Sequence, residues 1–145
     1  MKQRKWETHS GLLHVTLEDA TTEVQDLIEE LQSWHDGMDG TNLEYSQKYS
    51  DLEEAIDELE RVASTLQDID LPENSDGLEA QWNEPKVGKR GYSRSVRAGN
   101  IGSMLEAIAD ALEEEGDSQE YQDARSELLD ASSDLGNVMF PGMYG

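Results

Sequence analysis

The chain has 145 residues, with 33 Asp or Glu against 11 Lys or Arg, a formal net charge of -22, and no cysteine. That length suits one ordinary domain, and the missing thiols exclude disulfides, thiolate catalysis and thiolate metal sites. The surplus of carboxylates excludes a surface that draws in nucleic acid or an anionic membrane, and points instead to cations and basic protein surfaces.

Residues 1–15, MKQRKWETHSGLLHV, read as a basic N-terminal segment. No apolar run follows the basic head, so it does not resemble a secretory signal, and no segment of the chain approaches 18 apolar residues. A soluble protein of the cytoplasm is expected.

The first helix is expected from Thr16. Leu17, Ala20, Val24, Leu27, Leu31 and Trp34 step 3-4-3-4-3, with Ile28 widening the stripe, which is an amphipathic helix with a coiled-coil-like seam. Thr16 and Asp19 resemble a capping box. HDGMDG breaks the pattern, and Thr41 with Glu44 is a second capping-box pair. The next helix steps Tyr45, Tyr49, Leu52, Ile56, Leu59, Ala63 and Leu66, and ends near Asp68. A loop this short joins antiparallel helices, so 16–69 is read as an acidic helical hairpin.

Residues 70–94 carry prolines and glycines and read as an irregular connector, with Trp82 folding back onto the helices. A third helix is expected from Ser95 to Glu115, on Ile101, Leu105, Ile108 and Leu112. A fourth follows GDSQE on Tyr121, Ala124, Leu128, Ala131, Leu135 and Val138, with Gly136 and Pro141 marking its end. The expected fold is all-α: two antiparallel helical hairpins, 16–69 and 95–138, forming a four-helix bundle or an intertwined helical dimer. Residues 139–145 form an aromatic tail.

Three groups of residues stand out. Leaving aside the HDGMDG turn, the first hairpin carries fourteen acids outside its seam against Lys48 and Arg61. Over a hairpin roughly 35 Å long this is about one net charge per 3 Å, within a factor of two of duplex DNA at about one per 1.7 Å. Glu53, Glu54, Asp57, Glu58 and Glu60 are its candidate partner-binding face. The second group is the acid-free stretch KVGKRGYSRSVRAGN, where Lys86, Lys89, Arg90, Arg94 and Arg97 gather five of the eleven basic residues. Such an island fits a clasp onto the chain's own carboxylates or those of another copy, or else a nucleotide or small-anion site. The third is Met139, Phe140, Met143 and Tyr144, a cap for the bundle or a docking tail.

The remaining candidates fall away. His9, His14 and His35 lack ligand spacing, and DIDLPENSDGLE has Pro72 and Glu73 where a calcium loop needs a ligand and a glycine. The paired carboxylates sit on solvated faces that cannot separate two pKa values for catalysis. No enzyme activity, metal or cofactor is expected.

The stretch ELQSWHDGMDGTNLEYSQKYSDLEEAIDELERVASTLQDIDLP, residues 30–72, resembles small uncharacterised acidic helical bacteriophage proteins. In these an aromatic residue, a short turn, a Ser/Tyr/Lys-containing helix start and a Glu/Ala/Leu-rich helix follow one another. The turn departs from that pattern, with DGMDGTN where a proline is usual, and no residue roles carry over. The resemblance implies a viral origin, and with it the host cytoplasm as the place of action. Sequence as a whole therefore suggests a non-catalytic module binding a basic protein surface, one form of which is a DNA mimic that inhibits a host nucleic-acid-binding or defence protein. The alternatives are an oligomeric structural or virion assembly protein and a small-anion binder. A homo-oligomer is expected, and direct nucleic-acid binding is not.

Overall fold

The computed structural model describes residues 6–38, 40–41, 46–72, 75, 77–85, 93–115 and 118–140. They form, in chain order, β1 (Trp6–Leu12), α1 (Leu13–Met38), α2 (Gln47–Asp68), β2 (Glu79–Pro85), α3 (Arg94–Glu115) and α4 (Gln119–Asn137). The protein is mostly helical, but it is not purely so. β1 and β2 pair antiparallel, from Trp6 opposite Pro85 to Leu12 opposite Glu79. The expected basic segment 1–15 therefore contains a strand and the first turn of α1, and the expected irregular connector 70–94 contains that strand's partner.

The sheet escapes a reading by periodicity because each strand has few apolar residues to alternate. On the inner face of β2 Ala80 is buried and Trp82 half-buried, while Gln81 and Asn83 are exposed. On β1 the matching inner positions are His9 and Gly11. Trp82 packs against the hydrophobic core, and its ring stacks on His9 with centroids 5.8 Å apart.

β1 runs into α1 without a loop, the Leu13 N–H donating to Leu78 C=O at 3.2 Å. The helix thus starts three residues before Thr16. Thr16 is buried rather than a cap, and a Cβ on Gly11 would come within 2.9 Å of its hydroxyl. Close approach of the strand requires glycine there.

Thr41 serves the preceding helix instead of the following one. Its backbone N–H and its hydroxyl both donate to Met38 C=O, closing α1 after Gly40, which has φ +76. Glu44 and Tyr45 lie outside the described residues. The N-cap of α2 is Ser46, whose hydroxyl accepts from Tyr49 N–H at 3.3 Å. After α2, Pro72 C=O accepts from both the N–H and the hydroxyl of the buried Ser75, and Gly77 (φ +94) reverses the chain into β2.

α1 packs against α2 and α3, and α4 packs against α2 and α3, all within one chain. Leu27, Leu31, Leu52, Leu59, Leu105, Ile108, Leu112 and Leu128 are fully buried in one continuous core. Burial of each such side chain contributes about 1.5–3 kcal/mol, which opposes both chain entropy and the mutual repulsion of the carboxylates. α3 is the central helix and also lies under β2. Besides the expected stripe it buries Ala98, Met104, Ala107 and Ala109, so its apolar surface extends around most of its circumference. Gly102 lets α4 approach closely: Ser132 donates its hydroxyl to Gly102 C=O at 3.3 Å. Gly136 lies within α4, which ends at Asn137.

Candidate interaction surface

The carboxylates project outward because the apolar stripes turn the opposite faces inward. On α2 the five acids of the candidate face lie between the buried Leu52, Ala55, Ile56, Leu59 and Val62. They do not form a single row. At about 100° per residue, Glu53, Asp57 and Glu60 follow the side of α2 nearer α1, whereas Glu54 and Glu58 follow the other side. Gln32 of α1 donates to Glu60 Oε1 at 3.3 Å. His35 of α1 places its Nε2 3.6 Å from Glu53 Oε2 and stacks on Tyr49 at 4.0 Å. Glu53, Asp57, Gln32, His35, Asp36 and Ile56 line a shallow cleft of about 430 Å³.

A second acidic row, absent from the candidates raised by the sequence, runs along α4. Glu120, Asp123, Glu127, Asp130 and Asp134 are all exposed and step 3-4-3-4, which aligns them along one line about 21 Å long. The same spacing marked the apolar stripe of this helix, and searching the acids for it would have found the row. The N-terminal part of the row meets the C-terminal end of α2. There Asp68, Asp70, Glu120, Asp123 and Glu127 line a cleft of about 730 Å³ with Leu71, Pro72 and Ala124. Arg125, about 180° from that line at about 100° per residue, faces α3 and pairs with Glu113 at 3.5 Å.

Two of the island's cations, Arg94 and Arg97, sit in the first turn of α3 and converge on Glu30 of α1. Arg97 grips the carboxylate with both terminal nitrogens, Nη1 to Oε1 at 2.8 Å and Nη2 to Oε2 at 2.6 Å. Arg94 approaches with Nε at 3.4 Å, and its guanidinium lies 5.4 Å from the centroid of Trp34. Lys48 reaches the same ring at 5.6 Å. The Arg97 hydrogen bond holds the Glu30 carboxyl below the usual carboxylate range, and Glu30 in return raises Arg97 further. Lys86, Lys89 and Arg90 lie outside the described residues.

Where β2 crosses α1, Glu84 accepts from Trp82 Nε1 at 2.8 Å and lies 3.6 Å from His9 Nε2. Partial burial at this junction pushes Glu23 above the usual carboxylate range; Glu84 and Asp19 add to the shift and Arg97 opposes it. The candidate tail divides. Phe140 packs on the core, Met139 is 82% exposed, and Met143 and Tyr144 lie outside the described residues. The three histidines are dispersed over β1, the start of α1 and its end. No helix among the described residues is long and apolar enough to cross a membrane. No protein-family model, curated protein or solved structure matches this chain.

Proposed function

We propose that the protein is a non-catalytic interaction module that presents the carboxylate rows of α2 and α4 to a basic surface of another protein. The observation that supports this best is the α4 row with its adjoining cleft. Five aligned carboxylates, about one per 5 Å at 1.5 Å of rise per residue, continue into a cleft whose five charged lining residues are all acids. Such a row can meet a line of Lys or Arg side chains that ordinarily tracks phosphates, one strand of which offers a charge per about 3.4 Å. The phage resemblance of residues 30–72 makes a host nucleic-acid-binding or defence protein the expected class of target, with the module acting as a DNA mimic.

Anisotropy of a labelled Lys/Arg-rich peptide, together with release of labelled duplex from a non-specific DNA-binding protein, tests this reading. Replacing Glu127, Asp130 and Asp134 by Lys should weaken both effects by about tenfold or more and flatten their salt dependence. Replacing Glu114, exposed on α3, should do neither. Equal binding by all variants with helicity retained would remove the proposal.

A second reading, an assembly or virion component, is favoured by one feature, the exposed Met139 beside the core-packed Phe140. Deletion of residues 139–145 should then lower the solution mass of an assembled form. Small-anion binding through residues 86–97 is less well supported, because Arg94 and Arg97 already share Glu30.

A further inference from the structure

The Leu13 N–H to Leu78 C=O bond sets the parity of the sheet. That pair continues the β1–β2 register by one step beyond Leu12 and Glu79. Hydrogen-bonded and non-hydrogen-bonded pairs alternate along an antiparallel ladder. Gly11, His9 and Glu7 therefore turn their backbone groups toward β2, while Leu12, Ser10, Thr8 and Trp6 turn theirs to the opposite edge. Two independent features agree. Pro85, which has no N–H, stands opposite Trp6, where the ladder asks for none. Thr8 donates its hydroxyl to Asn83 Oδ1 at 2.8 Å, the close side-chain approach of a non-hydrogen-bonded pair.

Among the described residues no strand pairs with that outer edge of β1, and Thr8, Ser10 and Leu12 are exposed. Natural sheets usually guard such an edge with Pro, Lys or a bulge. β2 carries Pro85 on its own outer edge, whereas β1, WETHSGL, has no proline and no lysine and pairs with β2 in unbroken register.

We propose that a second copy of the chain adds at this edge, β1 against β1 and antiparallel about a two-fold axis at His9, giving a four-stranded sheet in the order β2-β1-β1-β2. The strand is self-complementary in that one register. Trp6 falls opposite Leu12 of the second copy and Thr8 opposite Ser10, so every edge-facing residue meets another edge-facing residue; a shift of two in either direction leaves some of them unmatched. An interface with the same patch on both copies is what two-fold closure requires. Charge selects the same place. The chain holds 33 acids in 145 residues, yet β1 has one, Glu7, and the register sets it opposite Gly11, so no like charges face one another across the new ladder. The two bodies lie on the same side of the extended sheet and repel, so salt should strengthen the association. This inference is independent of the acidic-row reading and survives its failure.

Sedimentation and light scattering of the full chain across a concentration series, at about 0.05 and 0.5 M salt, provide the test. A monomer–dimer equilibrium that shifts toward dimer with salt is expected. Ser10→Pro removes an N–H that only the outer edge uses, and Ser10→Lys charges the edge while leaving the backbone intact. Each should weaken dimerisation by about tenfold or more with an unchanged circular dichroism spectrum; Ser10→Lys decides the matter if the proline variant misfolds. Because the chain has no cysteine, His9→Cys should oxidise to a covalent dimer across the axis, while Thr8→Cys, which faces Ser10, should not. A wild-type chain that stays monomeric at every concentration, whether or not a strand from another protein adds there, overturns the proposal. So does a dimer unchanged by Ser10→Lys, or equal cross-linking of the two cysteine variants.

Discussion

Neutralising the two partners of the Glu30 clasp one at a time should give unequal costs, although the same contact is broken. The pair is a bidentate Arg–carboxylate at 2.6 and 2.8 Å, the strong form of a charge-assisted hydrogen bond. Glu30 is 38% and Arg97 28% exposed, so solvent screening brings the coupling down to about 1 kcal/mol. Glu30→Gln leaves Arg97 near Asp26 and Glu23, whose charges also act on it, and takes one charge off a body at -22. Arg97→Gln strands Glu30 with the looser Arg94 contact and adds a charge to the same body. We therefore expect about 0.5 kcal/mol for Glu30→Gln and about 1.5 kcal/mol for Arg97→Gln, with a coupling near 1 kcal/mol in the double-mutant cycle.

Urea unfolding at low and high salt measures these quantities. Wild-type stability should rise with salt as the overall repulsion is screened, while the coupling should shrink, because the two effects have opposite electrostatic signs. The Glu30 carboxyl is lowered in the fold, so its contribution is present above the usual carboxylate range and is lost as pH falls through the depressed folded value. A larger cost for Glu30→Gln than for Arg97→Gln, or a coupling that grows with salt, would mean that the Glu30–Arg97 contact does not stabilise the fold electrostatically.

Glu23 is raised in the fold, so its ionised form opposes folding above the folded value and that cost disappears as pH falls through it; Glu23→Gln should stabilise the protein at neutral pH and lose its advantage in acid, as read by thermal melts across pH. Gly99 lies in helix α3 with nothing within 4 Å of an added Cβ, so Gly99→Ala should stabilise by about 0.5–1 kcal/mol, whereas Gly40→Ala at φ +76 should destabilise by about 1 kcal/mol. Leu105→Ala, at a fully buried position on the central helix, should cost about 2–5 kcal/mol in urea unfolding; a cost below 1 kcal/mol would mean that α3 is not central to the core.

Helical periodicity alone marks out the four helices and the buried face of α1, α2 and α4, whereas α3 buries more than its stripe. Stripes such as Leu52, Ile56, Leu59 and Leu66 repeat at the helical period, and burying them is the largest favourable term that a chain carrying this much charge can draw on. Outward placement of the acids followed, since a carboxylate left in water costs nothing to desolvate. The α4 row was equally legible in principle, its period being as regular as that of the apolar stripe beside it.

Packing settles whatever depends on partners distant in the chain. β1 and β2 have little alternation of their own and become strands only because each supplies the other's backbone hydrogen bonds across more than 60 residues. Thr16 and Thr41 each offered a hydroxyl near a helix end, and the register of β1 and the C-terminus of α1, not local propensity, settled which backbone groups needed one. Five basic residues in fifteen announced a clasp, but only the packing of α3 on α1 could single out Glu30 from 33 acids as the carboxylate that Arg94 and Arg97 share. Composition fixes how much charge must be placed; the geometry of packed helices fixes which charges meet.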